Sequence, residues 1–108
     1  MCLKVVLDIY SYETMTYKKS KYRNCVINKK RYYFYQITWL DIAGDAGHAT
    51  ATEFDNMKPA EMTTNAYIYS KDKKVLRTFA SYDNNDEVFS DRNVYPMGCV
   101  KKLEKILI

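Results

Sequence analysis

Short apolar segments rich in β-branched and aromatic residues recur along the chain, and this pattern predicts strands rather than long helices. The strongest signal is Tyr32–Leu40, an almost unbroken run of aromatic and β-branched side chains. The predicted strands are Cys2–Ile9, Tyr10–Lys21 (grading into a loop), Tyr22–Ile27, Arg31–Ile42, Met62–Ser70, Val75–Tyr82, Val94–Val100 around one tight turn, and Leu103–Ile108 as a strand or a short helix. We therefore expect a mostly β protein built as a small antiparallel sheet or barrel.

Polar segments separate these strands. Two short ones have turn composition and predict hairpins, and two longer ones predict loops. The longest polar stretch holds two of the three glycines, and we expect in it a short helical turn capped by Thr50 or Thr52. The four segments are 28–30, 43–55, 71–73 and 83–91.

The length of 108 residues predicts one domain, because two independent cores would each have only about 50 residues. The content of 47% hydrophobic and 28% charged residues argues against disorder. The longest aliphatic run, Val5–Leu7, is far shorter than a membrane span, and the first residues lack the pattern of a signal peptide. Three widely spaced cysteines suit reduced thiols. We expect a cytoplasmic protein with no membrane partner.

The net charge of +4 is unevenly distributed. Residues 1–36 hold eight basic and two acidic residues, whereas residues 37–72 hold two basic and six acidic ones. Residues 73–108 hold seven basic and five acidic residues. Such a chain is dipolar and differs from a uniformly basic binder of polyanions. Within the single domain 1–108 we expect a basic β extension over 1–36 and a small barrel-like unit over 37–108.

The residues that common catalytic motifs need are scarce. His48 is the only histidine, and it lies in the polar stretch between two glycines, where an exposed loop position is its expected environment. No cysteine lies at ligand-pair spacing to it, and no phosphate-binding glycine motif is present. We expect a protein that is not an enzyme, with no catalytic residues, no metal site and no cofactor.

Basic and aromatic residues alternate in the first third of the chain. Single-stranded nucleic acid is bound by such surfaces, where charges follow the phosphates and rings stack on bases. A hairpin with a solvated, lysine-rich edge has the same composition, because edge lysines prevent aggregation. Both interpretations stay open, and the candidate nucleic-acid contacts are Lys18, Lys19, Arg23, Lys29, Lys30 and Arg31.

Four short segments from Ile37 onward, covering about two-thirds of the chain, resemble a set of short phage-encoded proteins of unassigned function. These have a strand with Trp-x-Asp, an acidic loop, a strand, an apolar strand ending in Ala-Ser, and a Pro-x-Gly-Cys-Val turn before a final strand. The matching segments here are Ile37–Ile42, Thr63–Ile68, Val75–Ser81 and Tyr95–Val100.

The resemblance implies a small twisted barrel, loosely of the Sm type, that forms dimers or rings. It also implies a viral, non-catalytic protein acting in the host cytoplasm. The first hypothesis is a counter-defence protein that sequesters a nucleotide-type immune signal; the alternatives are direct inhibition of a host defence enzyme and single-stranded nucleic-acid binding. Candidate ligand contacts are Trp39, Tyr67, Tyr69, Arg77, Tyr82 and Arg92.

Two of these residues allow several interpretations. Trp39 is expected to be an anchor of the core or of an interface, with Asp41 on the same side of the strand. Arg77 interrupts an apolar run and is expected on the face of Val75 and Phe79, which we assign to the core. It can extend out at a barrel rim, pair with Asp41, or meet an anion in a pocket.

Overall fold

The computed structural model describes residues 19–85 and 87–108, so the predicted strand Cys2–Ile9 and residues 10–18 of the next lie outside the described residues. The mostly β, antiparallel architecture is confirmed. In chain order the elements are β1 (Asn24–Ile27), β2 (Lys30–Asp41), α1 (Ala51–Asp55), β3 (Ala60–Lys71), β4 (Val75–Phe79), β5 (Ser81–Asp83), β6 (Val88–Ser90), β7 (Asn93–Pro96), a 3-10 turn (Met97–Cys99) and β8 (Val100–Lys105).

The main sheet has six strands in the order β1-β2-β3-β4-β7, and β8 also pairs with β2. β1 lies along the first part of β2, where Asn24 pairs with Tyr33, and β8 lies along the second part, where Lys105 pairs with Tyr35. The boundary expected after residue 36 therefore falls inside β2. The short strands β5 and β6 form a separate hairpin.

The main sheet is strongly curled. In a flat sheet β7 and β8 would lie four strand spacings apart, or about 19 Å. Only the three residues of the 3-10 turn join them, and four Cα steps reach at most about 15 Å. The sheet must therefore bend toward closure. Because β7 and β8 are not paired with each other along the described strands, the sheet stays open and is not a closed barrel.

Local side-chain chemistry explains the two hairpin turns. Asn28 and Lys29 have φ values of 49° and 68°, the left-handed pair that a two-residue turn between twisted strands requires. In the β3–β4 turn, the Asp72 carboxylate accepts hydrogen bonds from the backbone N–H groups of Lys74 (2.7 Å) and Val75 (2.8 Å). These bonds lower the pKa of Asp72, because they stabilise its charged form.

Two hydrophobic cores lie on opposite faces of the main sheet, because successive side chains of a strand point to opposite sides. The barrel-side core lies on the concave side and consists of Ile37, Ala66, Leu76 and Tyr95. The hairpin-side core is built from Cys25, Ile27, Tyr32 and Phe79 and is covered by rings of the β5–β6 hairpin.

The polar stretch 83–91 contains more structure than a loop. Its last part forms β6, whose Phe89 packs against the hairpin-side core. The prediction of a loop over 83–91 was wrong because two neighbouring apolar residues, Val88 and Phe89, are too few to show a strand period. No helix among residues 19–85 and 87–108 is long and apolar enough to cross a membrane.

Candidate binding cleft

A cleft of about 860 Å³ opens between β3, β4 and the segment from β6 to β7. Cavities that hold small molecules in proteins commonly measure about 300–1,000 Å³, so this volume is sufficient for a nucleotide-sized ligand. Three of the six candidate ligand contacts, Tyr69, Arg77 and Arg92, line the cleft together with Thr78, Phe79 and residues 87–91, 93 and 94.

Tyr69 lies on the cleft side of β3, at a bulge of that strand. Ile68 pairs with Thr78 and Ser70 pairs with Arg77, so Tyr69 has no partner on β4. Bulges redirect side chains and are frequent beside functional sites. The Tyr69 side chain is 43% exposed, and its ring stacks on Tyr32 with centroids 6.0 Å apart.

The two guanidinium groups of the cleft belong to Arg77 and Arg92. The salt bridges found among the described residues do not involve Arg77 or Arg92. Of the described carboxylates that line the cleft, Asp91 accepts a 2.6 Å hydrogen bond from the Ser81 hydroxyl, and Glu87 accepts one of 3.4 Å from the Asn28 amide. The charge of Arg77 also contributes, after two backbone hydrogen bonds, to the lowered pKa of Asp72 in the β3–β4 turn. The guanidinium groups thus keep donors for a phosphate or carboxylate.

Two backbone positions of the cleft wall are unusual. Glu87 and Asp91, which flank β6 on either side, have φ values of 55° and 53°. Residues other than glycine rarely adopt this left-handed backbone conformation, although aspartate tolerates it better than glutamate. Such positions cluster at ligand-binding sites, where the surrounding structure maintains them.

Thr78 lies in the β4 wall of the cleft, but its side chain points to the opposite face of the sheet, together with Leu76. Its side chain is 2% exposed, and its Oγ1 has no hydrogen-bond partner within the described part of the chain. Leaving a buried hydroxyl unpaired costs about 1–3 kcal/mol, so such groups call for an explanation.

Aromatic rings form the apolar side of the cleft. Phe89 lies edge-on to Tyr69 at 5.1 Å and to Phe79 at 4.7 Å between centroids. Burial raises the pKa of the neighbouring Tyr32 hydroxyl, so this wall stays neutral at physiological pH. Rings beside guanidinium groups are the combination that binds a base and its phosphate.

Arg77 lies on the face of β4 that carries Phe79, as expected, but its own position on that face is solvent-exposed. Leu76 and Thr78 are buried on either side of it, and Arg77 itself is exposed. Phe79, on the same face as Arg77, joins the hairpin-side core, whereas Leu76 on the other face belongs to the barrel-side core, so both faces of β4 contribute to a core. The pairing of Arg77 with Asp41 is not formed, since Asp41 lies at the far end of β2.

The other three candidate contacts lie outside the cleft. Trp39 belongs to the barrel-side core, with its ring 5.3 Å from that of Tyr95 and its Nε1 donating a 2.9 Å hydrogen bond to Thr64. Tyr67 and Tyr82 pack on the hairpin-side core, with their centroids 5.9 Å apart. The structure does not bring them together with the arginines.

The candidate nucleic-acid contacts fall on different faces. Arg23 lies over the Phe34 ring at 4.3 Å, and Lys30 lies 5.5 Å from the centre of Tyr32 on that same face. Arg31 points to the opposite face because it neighbours Lys30 along β2. Lys29 occupies the turn, Lys19 is exposed, and Lys18 lies outside the described residues. Nucleic-acid binding by this set stays a prediction.

Reactive and metal-binding groups are dispersed in the described part of the chain. His48 is exposed in the loop before α1, as expected, and Cys25 and Cys99 are both free thiols. No group of three His, Cys, Asp or Glu side chains within 19–85 and 87–108 is placed to hold a metal ion.

Sequence reasoning missed Thr78, Phe89 and Asp91 as parts of the cleft. A threonine in an apolar run is ordinary strand composition, and Phe89 stood in a segment assigned to a loop. No sequence signal places residues near 69, 78 and 90 together, because the bulge and the β5–β6 hairpin create that proximity.

No protein-family model matches the chain, and no curated protein or solved structure matches it significantly.

Proposed function

We propose that this protein acts by binding and sequesters a nucleotide-type anion in the cleft. The observation that carries the proposal is the pair Arg77 and Arg92, neither of which forms an ion pair among the described residues, on a cleft of about 860 Å³. Guanidinium groups bind phosphate oxygens in bidentate fashion, and the rings of Tyr69 and Phe89 offer apolar contact to a base.

The resemblance to short phage proteins extends this proposal to a biological role. The captured ligand is then a nucleotide-type immune signal of the host, and its removal is a counter-defence activity. Sequestration needs affinity and a slow release but no reacting group. The exposed position of the lone His48, far along the chain from the cleft residues, agrees with a role that does not use it.

Isothermal titration calorimetry of the full chain tests the proposal. The probes are adenosine monophosphate, cyclic di-AMP, adenosine and inorganic phosphate. We expect heat with at least one phosphorylated nucleoside and a weaker response, or none, with adenosine or phosphate alone. Arg77→Ala and Arg92→Ala should each weaken that binding about tenfold or more, which corresponds to about 1.4 kcal/mol.

Two further variants separate the cleft from general charge effects. Arg23→Ala removes the same charge from an exposed site outside the cleft and should leave affinity within about twofold. Thr78→Val removes a buried hydroxyl on the opposite face of β4 and should neither change the affinity nor lower the urea midpoint, because that hydroxyl has no partner to lose among the described residues. Absence of heat with every probe, or equal losses in Arg23→Ala and Arg77→Ala, would show that the cleft is not the site.

A further inference from the structure

The end of the β2–β3 hairpin forms an arm whose residues are all exposed, and at its base Glu61 forms a 2.7 Å salt bridge with Lys101 of β8. We define the distal arm as residues 41–62, which includes α1. All five residues of α1 are exposed. Large apolar side chains are exposed as well: Ile42 by 88% and Phe54 by 70%. Together with Met57 and Pro59, Phe54 lines a shallow cavity of about 190 Å³.

Local interactions alone maintain this helix. The Thr50 hydroxyl accepts a 3.2 Å hydrogen bond from the Glu53 N–H, and the Glu53 carboxylate accepts a 2.9 Å bond from the Thr50 N–H. A five-residue helix is marginal in water without packing on an apolar surface. The arm thus presents an ordered apolar surface with no partner in the described part of its own chain.

The arm is strongly acidic. Residues 41–62 hold five acidic residues and one lysine, a net charge of −4. A surface that covers Phe54 and Ile42 favourably must therefore be basic around its apolar centre. The acidic residues are Asp41, Asp45, Glu53, Asp55 and Glu61.

A surface with those properties exists at the opposite end of β2. We define the basic end as Lys21, Arg31 and Lys105 around the rings of Tyr22 and Tyr33. The Lys105 Nζ lies 4.3 Å from the centre of the Tyr33 ring and 5.0 Å from that of Tyr22, and the Lys21 Nζ lies 5.4 Å from the latter.

Arg31 contributes to the same cluster. Its hydrogen bond to the Tyr33 hydroxyl is the main cause of the lowered pKa of Tyr33, and the charge of Lys105 acts in the same direction. Residues 19–31 hold six basic residues and no acidic one. The basic end thus combines positive charge with aromatic surface, which complements the distal arm.

The distal arm of a chain cannot reach the basic end of the same chain. Arg31 and Asp41 lie ten residues apart on one continuous strand, which is about 33 Å at 3.3 Å per residue. We propose that the distal arm docks on the basic end of a second copy of this chain. Because the two surfaces differ, the contact is head-to-tail, and it closes into a ring or extends as a filament.

Charge-reversal variants of the full chain test this interface, with mass measured by light scattering and native mass spectrometry. Asp41→Lys/Asp45→Lys/Asp55→Lys changes the net charge of the arm from −4 to +2 without removing the Thr50–Glu53 pair, and Lys21→Glu/Lys105→Glu reverses the basic end. We expect the wild type to assemble at low salt and each variant to fall to the 12.7 kDa of a single chain. Lys71→Glu/Lys73→Glu, at the exposed β3–β4 turn, is the charge-matched control and should assemble normally.

Mixing gives the decisive outcome. In an equimolar mixture, the reversed arm of one variant meets the reversed basic end of the other, and both unlike contacts are attractive again. We expect the mixture to recover the wild-type mass and to lose it at high salt. A wild type that is a single chain at low salt, variants that still assemble, or a mixture that stays monomeric would each overturn the interface. A wild type that is a single chain at low salt would indicate that the arm binds a basic partner other than this chain.

Discussion

At the scale of single residues, the burial of Cys25 changes the acidity and the reactivity of its thiol. Its side chain is 8% exposed beneath the β5–β6 hairpin. Loss of solvation raises the pKa of its thiol from the ordinary 9.0 to about 11, although a hydrogen bond with Tyr82 opposes the shift. The thiolate is the nucleophilic form, so Cys25 stays unreactive at neutral pH and acts as a small apolar core residue.

This pKa shift predicts a loss of stability in alkali. Between pH 9 and pH 11 the unfolded chain releases the Cys25 proton while the folded chain keeps it, so the unfolded state binds fewer protons and the free energy of unfolding falls as pH rises. Cys25→Ala should make this decline shallower in urea titrations at pH 8, 9, 10 and 11. Some decline of stability with pH should remain in Cys25→Ala, because burial also raises the pKa values of Tyr32 and Tyr67.

The comparison uses slopes because the Cys25→Ala cavity lowers stability equally at every pH. Cys99→Ala, which removes a less buried thiol outside the hairpin-side core, is the matched control. Identical slopes for wild type and Cys25→Ala would mean that the Cys25 thiol titrates alike in both states.

At the scale of elements, the parts of the fold with a strong local signal were predictable. The strand expected over Arg31–Ile42 is β2, Lys30–Asp41, because its aromatic and β-branched residues strongly favour the extended backbone. The helical turn capped by Thr50 is confirmed, since a capping box depends on neighbours three residues apart.

Elements that depend on distant contacts were not predictable. The bulge at Tyr69 carries no composition signal, and β6 is a strand because Phe89 packs on the hairpin-side core. The sequence did not reveal that both alternating sets of β4 face a core, Leu76 on one side and Phe79 on the other. Three of the six candidate ligand contacts therefore lie in the cleft, and the other three pack on the two cores.

The capping box of α1 gives a prediction about local order. Thr50→Ala removes the hydroxyl that accepts from Glu53, a loss of about 1 kcal/mol or roughly a fivefold shift toward the open helix. The Phe54 amide, which donates to the Thr50 carbonyl at 2.9 Å, should exchange with deuterium about fivefold faster. The urea midpoint should stay unchanged, because α1 buries no side chain.

Nuclear magnetic resonance at high salt, which weakens the proposed contact between chains, gives this exchange rate. Thr52→Ala is the matched control, because Thr52 is an exposed residue of the same helix that does not cap it. A drop in the urea midpoint of Thr50→Ala would mean that α1 contributes to the global fold, contrary to its exposure.

At the scale of the whole molecule, two cores share one set of strands. β4 contributes Leu76 to the barrel-side core and, three residues later, Phe79 to the hairpin-side core. β2 does the same with Ile37 and Tyr32. Neither core can lose its strands without removing one wall of the other. The two cores are therefore expected to unfold together, although their side chains lie on opposite faces of the sheet.

Cooperative unfolding predicts that a cavity in either core weakens both. Leu76→Ala should cost about 2–5 kcal/mol and Phe79→Ala about 3–5 kcal/mol, since both side chains are fully buried. Trp39, the single tryptophan, reports on the barrel-side core through its fluorescence, and thiol labelling of Cys25 reports on the hairpin-side core. In each variant both probes should shift to the same lower urea midpoint. Val88→Ala, at a side chain 51% exposed, should shift neither. If Phe79→Ala exposed Cys25 to labelling while the Trp39 transition kept its wild-type midpoint, the hairpin-side core would be an independent unit and the shared strands would not couple the two.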